Sequence, residues 1–436
     1  MLTRSWSEWL PIRRLGRSLI CDRFYAEKAD GRLKGVGAEA QIISPEIYAS
    51  TDQNKFVAVI AEKDEAGNPY QPTFYKSRIH IDLSDADTYG RNFEQLLRWA
   101  YDKPLHVKPD LGKAPAFLEE APGPSLHTSV VAQRAVSAIR NQKDYADGAV
   151  IEYFDRFTEN LEEFRIAPDS QTGYDDEIVE NIDQFLPYRN EAIEIVLTLS
   201  RYAGKKNLGP TLHSFVERLL PYFYRPTNDV GWQEFHASNY EFIIHELFLY
   251  FIAALLKYGH FDAAAHLFDH RYYVANRDRN DQMVSYREIR QYIEAFEHRK
   301  NRLKLNRLSL RADTLIDRCQ GVGINQAQLL QSDFVVFIRA ALDAGDDHYR
   351  HWWPETLLYT FRQRGPFELF ARAERAEAFR KLQPLLGLAG LSIDDAKKRI
   401  ADYFDLIRQG QVQLPRWEVN GFNPAELMNF AKLATA

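Results

Sequence analysis

The pattern of apolar and polar positions divides the chain into two stretches of different character. Up to about residue 101, short apolar runs alternate with helix-like segments. Ser18-Leu19-Ile20-Cys21 is strand-like, Ile42, Ile43 and Ile47 share a helical segment, and Lys55-Phe56-Val57-Ala58-Val59-Ile60 has the continuous apolarity of a buried strand. In 78–84, Ile79, Ile81 and Leu83 alternate with Arg78, His80 and Asp82, as in a half-buried edge strand. Strands alternating with helices predict parallel β-α units. Residues 22–34 read as a polar loop ending in Gly35-Val36-Gly37, with a helix opening behind it. Glu39 would then stand in that helix's first turn, where free N–H groups favour a carboxylate.

Pro104, Pro109, Pro115, Pro122 and Pro124 interrupt any regular element, and beyond them the period becomes helical. Ile151, Phe154, Phe157, Leu161 and Phe164 mark one amphipathic helix, 190–202 and 211–224 two more, and 239–258 with 261–268 a hairpin across Gly259-His260. Residues 286–318 predict one long charged helix, followed by helices over 333–344, 355–363, 367–383 and 394–409. The most apolar run, 242–256, is too short to span a membrane and contains His245 and Glu246, which predicts a buried core helix. The expected organisation is an α/β domain with a parallel sheet over 1–118, a Pro-rich linker over 119–127, and a larger all-α region over 128–436.

With 436 residues, 45% of them hydrophobic, there is material for two or three packed domains. The net charge of −6 is too modest to suggest bulk electrostatic coating of nucleic acid. The two cysteines, Cys21 and Cys319, lie far apart and argue against both a disulfide framework and a cysteine metal site. Arg13, Arg14 and Arg17 interrupt any signal-peptide core, so a cytoplasmic protein is expected.

Most chemical motifs fail on spacing. His245-Glu246 lacks the second histidine of a zinc-protease helix, and Gly204-Lys205-Lys206 lacks the frame of a phosphate loop. His266 and His270, with His260 nearby, read as surface histidines, so no metal is expected. The acid-rich stretch 152–186 reads as a solvated face. Arg299, Lys300, Arg302, Lys304, Arg307 and Arg311 form a basic run without an acid among them. A packed helix with a solvated basic face is the favoured account of it; the alternative is a surface for nucleic acid or another anionic ligand.

Five features in order resemble the second half of a bacterial TIR domain of the SEFIR-like kind. They are Tyr25 with Lys28-Ala29, Gly35-Val36-Gly37 with Glu39, the Ile81-Asp82-Leu83-Ser84 strand, and the Leu111-Gly112-Lys113 exit with Pro115, set around the 55–60 strand. The resemblance covers roughly residues 18–118. The first strand and BB loop of such a domain are not found in 1–17, where Trp6, Trp9, Leu10 and Ile12 would form an apolar helical face. The resemblance implies that Glu39 is the catalytic glutamate engaging the nicotinamide-side ribose, with NAD as substrate and no cofactor. It further implies assembly into a homo-oligomer through the TIR-like module, a phage-derived or host trigger recognised by the helical region, no membrane, and a role in antiviral defence. The alternative is a non-catalytic scaffold built on an incomplete module.

Overall fold

The computed structural model describes residues 17–49, 56–76, 78–101, 124–166, 173–202, 207–226, 231–275, 282–344, 352–362, 365–412 and 423–436. It divides the chain into two compact units, Met1–Lys113 and Ala114–Ala436. The 1–16 face, Leu111 to Pro115 and most of the 119–127 linker lie outside the described residues, as does the Gly204 to Lys206 segment.

In the first unit β1 (Arg17–Cys21) leads through α1 (Arg23–Asp30) and α2 (Lys34–Ala49) to β2 (Phe56–Ile60), and β3 (His80–Asp82) leads to α3 (Ala86–Ala100). The strands pair in parallel in the order β1-β2-β3, with Leu19 opposite Ala58 and Val59 opposite Ile81. The alternation of side chains across the sheet loads both faces. Leu19, Cys21, Phe56, Ala58 and Ile60 pack with Ile43, Ile47 and Tyr75 on one side. Val57, Val59 and Ile81 pack with Leu96 and Trp99 on the other. All five residues of β2 are buried, which is why its apolarity is continuous rather than alternating.

Two local expectations need correction. The stretch taken for a polar loop is α1, capped by Asp22, whose Oδ1 accepts the Tyr25 N–H at 2.6 Å. The left-handed backbone of the turn is carried by Arg32 (φ 54°) and Lys34 (φ 53°), not by the glycines. Consequently Gly35 and Gly37 lie inside the start of α2, and Glu39 stands in its second turn with no acid in the first. Gly37 serves packing: a Cβ there would lie 2.1 Å from the Arg32 carbonyl carbon.

The second unit comprises α4 (Ser129–Arg140), α5 (Ala146–Asn160), α6 (Tyr174–Gln184), α7 (Leu186–Tyr202), α8 (Leu208–Leu219), α9 (Ser238–Lys257) and α10 (Phe261–Asp269), then β4 (Tyr272–Val274) and β5 (Gln282–Val284), then α11 (Glu294–Arg302), α12 (Leu310–Asp317), α13 (Gln326–Ala344), α14 (Glu368–Arg372), α15 (Ala376–Leu382), α16 (Ile393–Arg408) and α17 (Pro424–Leu427). It is therefore mostly, not wholly, helical. Tyr272 and Val274 alternate inward in an antiparallel ribbon, and the Tyr272 hydroxyl donates to the Leu267 carbonyl at 2.7 Å. The helix α9 is its axis, packed by α7 and α13 and buried along nearly its whole length. By length and composition it could cross a membrane, but 94% of the qualifying window is buried within the unit, the mark of a core helix.

The long helix expected over 286–318 is broken. A 3-10 turn (Tyr286–Ile289), α11 and α12 replace it. Lys304 turns left-handed at φ 52°, and the Ser309 hydroxyl caps α12 by accepting the Ala312 N–H at 3.1 Å. The hydroxyl cap starts a new helix where the leucine spacing suggested a continuing one.

Candidate functional site

Parallel sheets bind ligands outside the carboxyl ends of their strands. Here that edge is formed by Cys21-Asp22, Ile60 to Lys63 and Asp82 to Ser84, stitched by Ala61 N–H to the Cys21 carbonyl and Leu83 N–H to the Ile60 carbonyl, both 2.9 Å. Glu62 accepts the Arg23 N–H at 3.1 Å, fixing the start of α1. Burial works to raise the Asp82 carboxyl, but the ion pair with Lys63 and the Ser84 hydrogen bonds overcome it and bring it down to about 2. The Asp82 carbonyl accepts from Asn92 at 2.8 Å, so β3 and α3 are tied at this same edge.

Tyr25, in the first turn of α1, packs beside the apolar face containing Leu19, Cys21 and Ile43. Its hydroxyl is buried without a hydrogen-bond partner. Burial, with the Glu39 carboxylate adding to it, pushes that hydroxyl up to about 12, so it stays a proton donor at neutral pH. Glu39 is exposed on α2 within electrostatic reach of it. The two offer a carboxylate and a partnerless O–H donor within electrostatic reach but not hydrogen-bonded to each other. Burial also pushes the Cys21 thiol up to about 12, which removes it as a nucleophile. Asp30 anchors the neighbouring 3-10 turn (Thr73–Tyr75) by accepting from the Thr73 N–H and hydroxyl, both at 2.8 Å.

In the helical unit the basic run loses its open face. Arg299 pairs with Asp176, Arg302 with Asp175 and Asp176, Lys300 with Glu297, and Arg307 with Asp313. Arg311 is buried, and Lys304 stands exposed in the 303–309 loop. The acid-rich stretch is thus not simply a solvated face, because Asp175 is fully buried and meets Arg302 at 2.9 Å. Phosphate binding by this run would require these pairs to open.

The structure also joins His213 to the pair that sequence spacing had suggested. His266 and His270 stack at 3.8 Å, and His213 lies 5.6 and 6.0 Å from them. Gly209 admits this packing, since a Cβ there would lie 2.8 Å from the His266 Cβ. Among the described residues no group of three such side chains is arranged to hold a metal ion. His260 is engaged separately, its Nε2 at 2.6 Å from the Ser200 carbonyl.

Two buried charge clusters on α9 were not found from the sequence, although His245 and Glu246 inside its most apolar run were the signal for them. Glu246, fully buried, meets Arg318 through both oxygens at 3.0 and 3.2 Å and Arg189 at 3.4 Å. Arg189 also donates to the Arg318 carbonyl at 3.0 Å and lies 5.0 Å over the Tyr250 ring. The second cluster gathers Glu241, His245, Arg290, Arg311, Asp333 and Glu355. Asp333 accepts from Trp352 Nε1 at 2.6 Å and from the Thr356 N–H and hydroxyl at 2.8 Å. Both nitrogens of His245, the Arg290 Nε, and the Arg311 Nε and Nη2 are buried without partners. Buried unsatisfied donors cost about 1–3 kcal/mol each, and more when charged, so such a group is a costly feature for a fold to keep.

No family model, curated protein or solved structure matches this chain.

Proposed function

We propose that the first unit is a TIR/SEFIR-like NAD-cleaving module and that the helical unit senses a trigger and drives its assembly, in a cytoplasmic protein of bacterial anti-phage immunity. The observation that supports this reading is Glu39 itself: an exposed carboxylate on α2, within electrostatic reach of the partnerless Tyr25 hydroxyl. The sheet order is compatible with it, since three parallel strands adjacent in sequence and space match the 3-4-5 half of a doubly wound 2-1-3-4-5 order.

In the proposed reaction the bond between the ribose anomeric carbon and the nicotinamide nitrogen breaks, and its electron pair leaves with neutral nicotinamide. The ribose passes through an oxocarbenium-like state, which the Glu39 carboxylate stabilises electrostatically. Water adds to the anomeric carbon and loses a proton to solvent, giving ADP-ribose.

The second reading is a non-catalytic scaffold, favoured by one specific observation. Among the described residues β1 is an edge strand of the sheet, and Ile20, on the face opposite Leu19 and Cys21, is 65% exposed, so the margin of the described sheet is partly apolar. NAD consumption by the full chain, read as nicotinamide release, separates the two. Turnover that falls at least tenfold in Glu39→Gln supports the enzyme; equal turnover removes Glu39 from the site, and none in the unmutated chain under assembling conditions leaves the scaffold.

A further inference from the structure

We propose that His213, His266 and His270 form an acid-sensitive latch: while neutral they hold the β4–β5 ribbon and the end of α10 against α8, and acidification below about pH 6 releases that contact. The inference stands whether or not Glu39 cleaves NAD.

The three rings come from both sides of one helix contact. His213 stands on α8, His266 in the last turn of α10, and His270 just after α10, two residues before β4. His266 and His270 stack with ring centres 3.8 Å apart, and the His213 ring meets both edge-on at 5.6 and 6.0 Å. His213 also stacks on Tyr272, the first residue of β4, at 4.3 Å. Its ring is hydrogen-bonded to the backbone of His270 and Arg271, so one α8 side chain grips the whole turn out of α10. Its Nε2 is buried without a partner. Gly209 keeps α8 close to α10 at the same point, with no room for a Cβ beside that of His266.

Neutral rings suit these contacts, and charged ones do not. Burial, the largest influence, holds His213 below the usual imidazole range against the pull of Glu217 and of its backbone hydrogen bonds, and the charge of His270 adds to the lowering. Burial does the same to His266, followed by the charges of His270 and His213, against Asp269. Both acids are engaged elsewhere: Glu217 accepts the Tyr273 N–H at 2.6 Å, and Asp269 accepts from Arg339 of α13 at 2.6 Å. Arg271, next in the chain after His270, adds a cation. Among the described residues α9, packed against both α8 and α10, contributes no ionisable group to the influences on His213 or His266. A second proton on the stacked pair would face the first across 3.8 Å, and one on the His213 Nε2 would create a buried N–H without an acceptor. The closed form therefore binds fewer protons than the open one. The latch is fully closed above about pH 6.5, and opening gains up to about tenfold per pH unit below it for each extra proton taken up.

The test is hydrogen–deuterium exchange of the full chain at about pH 7 and about pH 5.5, corrected for the intrinsic pH dependence of amide exchange. Protection of Tyr272–Val274 should fall about tenfold or more on acidification while that of α4 and α5 holds. In the double variant His266→Phe, His270→Phe, which keeps a pair of stacked rings and removes their charge, the fall should shrink to about threefold or less. A level profile in the unmutated chain, an equal fall in the variant, or a fall shared by α4 and α5 overturns the proposal. Should the variant fail to fold, deuteration of the histidine Cε1 positions of the unmutated chain, read by mass spectrometry across pH, decides. His213 and His266 must titrate below the free imidazole value of about 6.5, and midpoints at or above it also overturn the latch.

Discussion

Gly35 and Gly37 are two residues apart on one helix, and the structure assigns them opposite sensitivities. A Cβ at Gly35 meets nothing within 4 Å, whereas one at Gly37 would lie 2.1, 2.5 and 2.6 Å from the carbonyl carbon, carbonyl oxygen and Cα of Arg32. These are backbone atoms that no rotamer change can move. Restoring ordinary contact requires the α1–α2 turn to open by more than about 1 Å, an overpacking cost of roughly 1–3 kcal/mol. The same movement strains the hydrogen bonds from Gly37 N–H to Leu33 at 3.0 Å and Leu33 N–H to Lys28 at 2.9 Å. These add about 1 kcal/mol each, so Gly37→Ala should cost roughly 3–5 kcal/mol. Gly35→Ala should gain about 0.5–1 kcal/mol from reduced backbone entropy in a helix. Hydrogen exchange at Phe56–Ile60, the strand buried at the centre of this unit, reports the difference without interference from the helical unit. Exchange accelerated about a hundredfold or more in Gly37→Ala, and unchanged or slower in Gly35→Ala, is expected. Equal behaviour of the two variants would refute the packing account of this turn.

Two further outcomes follow from the buried charges. Glu246→Gln leaves Arg189 and Arg318 without their shared carboxylate and should destabilise the helical unit by about 3–5 kcal/mol in urea unfolding. A smaller effect than on Glu377→Gln, an exposed i,i+4 partner of Lys381, would contradict it. Glu241 has its carboxyl raised from 4.5 to about 7, so the folded state keeps a proton that the unfolded chain releases. Its contribution is therefore full below about pH 4.5, falls as pH rises to about 7, and is then flat. At about 1.4 kcal/mol per tenfold the ceiling is roughly 3 kcal/mol, and the side chain's partial exposure brings the expectation to about 1–2 kcal/mol. Glu241→Gln should remove that part of the slope in stability between pH 4.5 and 7. Asp333, raised to about 6, contributes with the same sign and is untouched by the substitution, whereas the lowered His213, His245 and His266 act in the opposite sense.

The β-α character of the first stretch was legible because β2 is buried on both faces and β3 keeps its alternation. α1 was not, because its only buried residues are Ala26 and Ala29 and its definition comes from the Asp22 cap. The break between α11 and α12 was hidden for a related reason. Leu303, Leu305 and Leu308 look like a helical stripe, yet all three remain exposed and the decisive element is one serine hydroxyl. Glu39 could be singled out from its motif, but its relation to Tyr25 depends on how a left-handed turn folds α2 back onto α1. The inward turn of Arg311 had no local signature at all. It and its five basic companions look alike in sequence, and only Gln291, Asp333 and Glu355, brought from other elements, distinguish it.

The burial of α9 has a consequence for synthesis. Residues 238–257 emerge from the ribosome some 87 residues before α13, which covers them, is complete. At translation rates of about 5–20 residues per second, a helix apolar enough to be taken for a membrane segment stands uncovered on that side for roughly 4–17 s. His245 and Glu246 within it, costly to bury in the finished core, each also add a cost to placing this nascent helix in a bilayer.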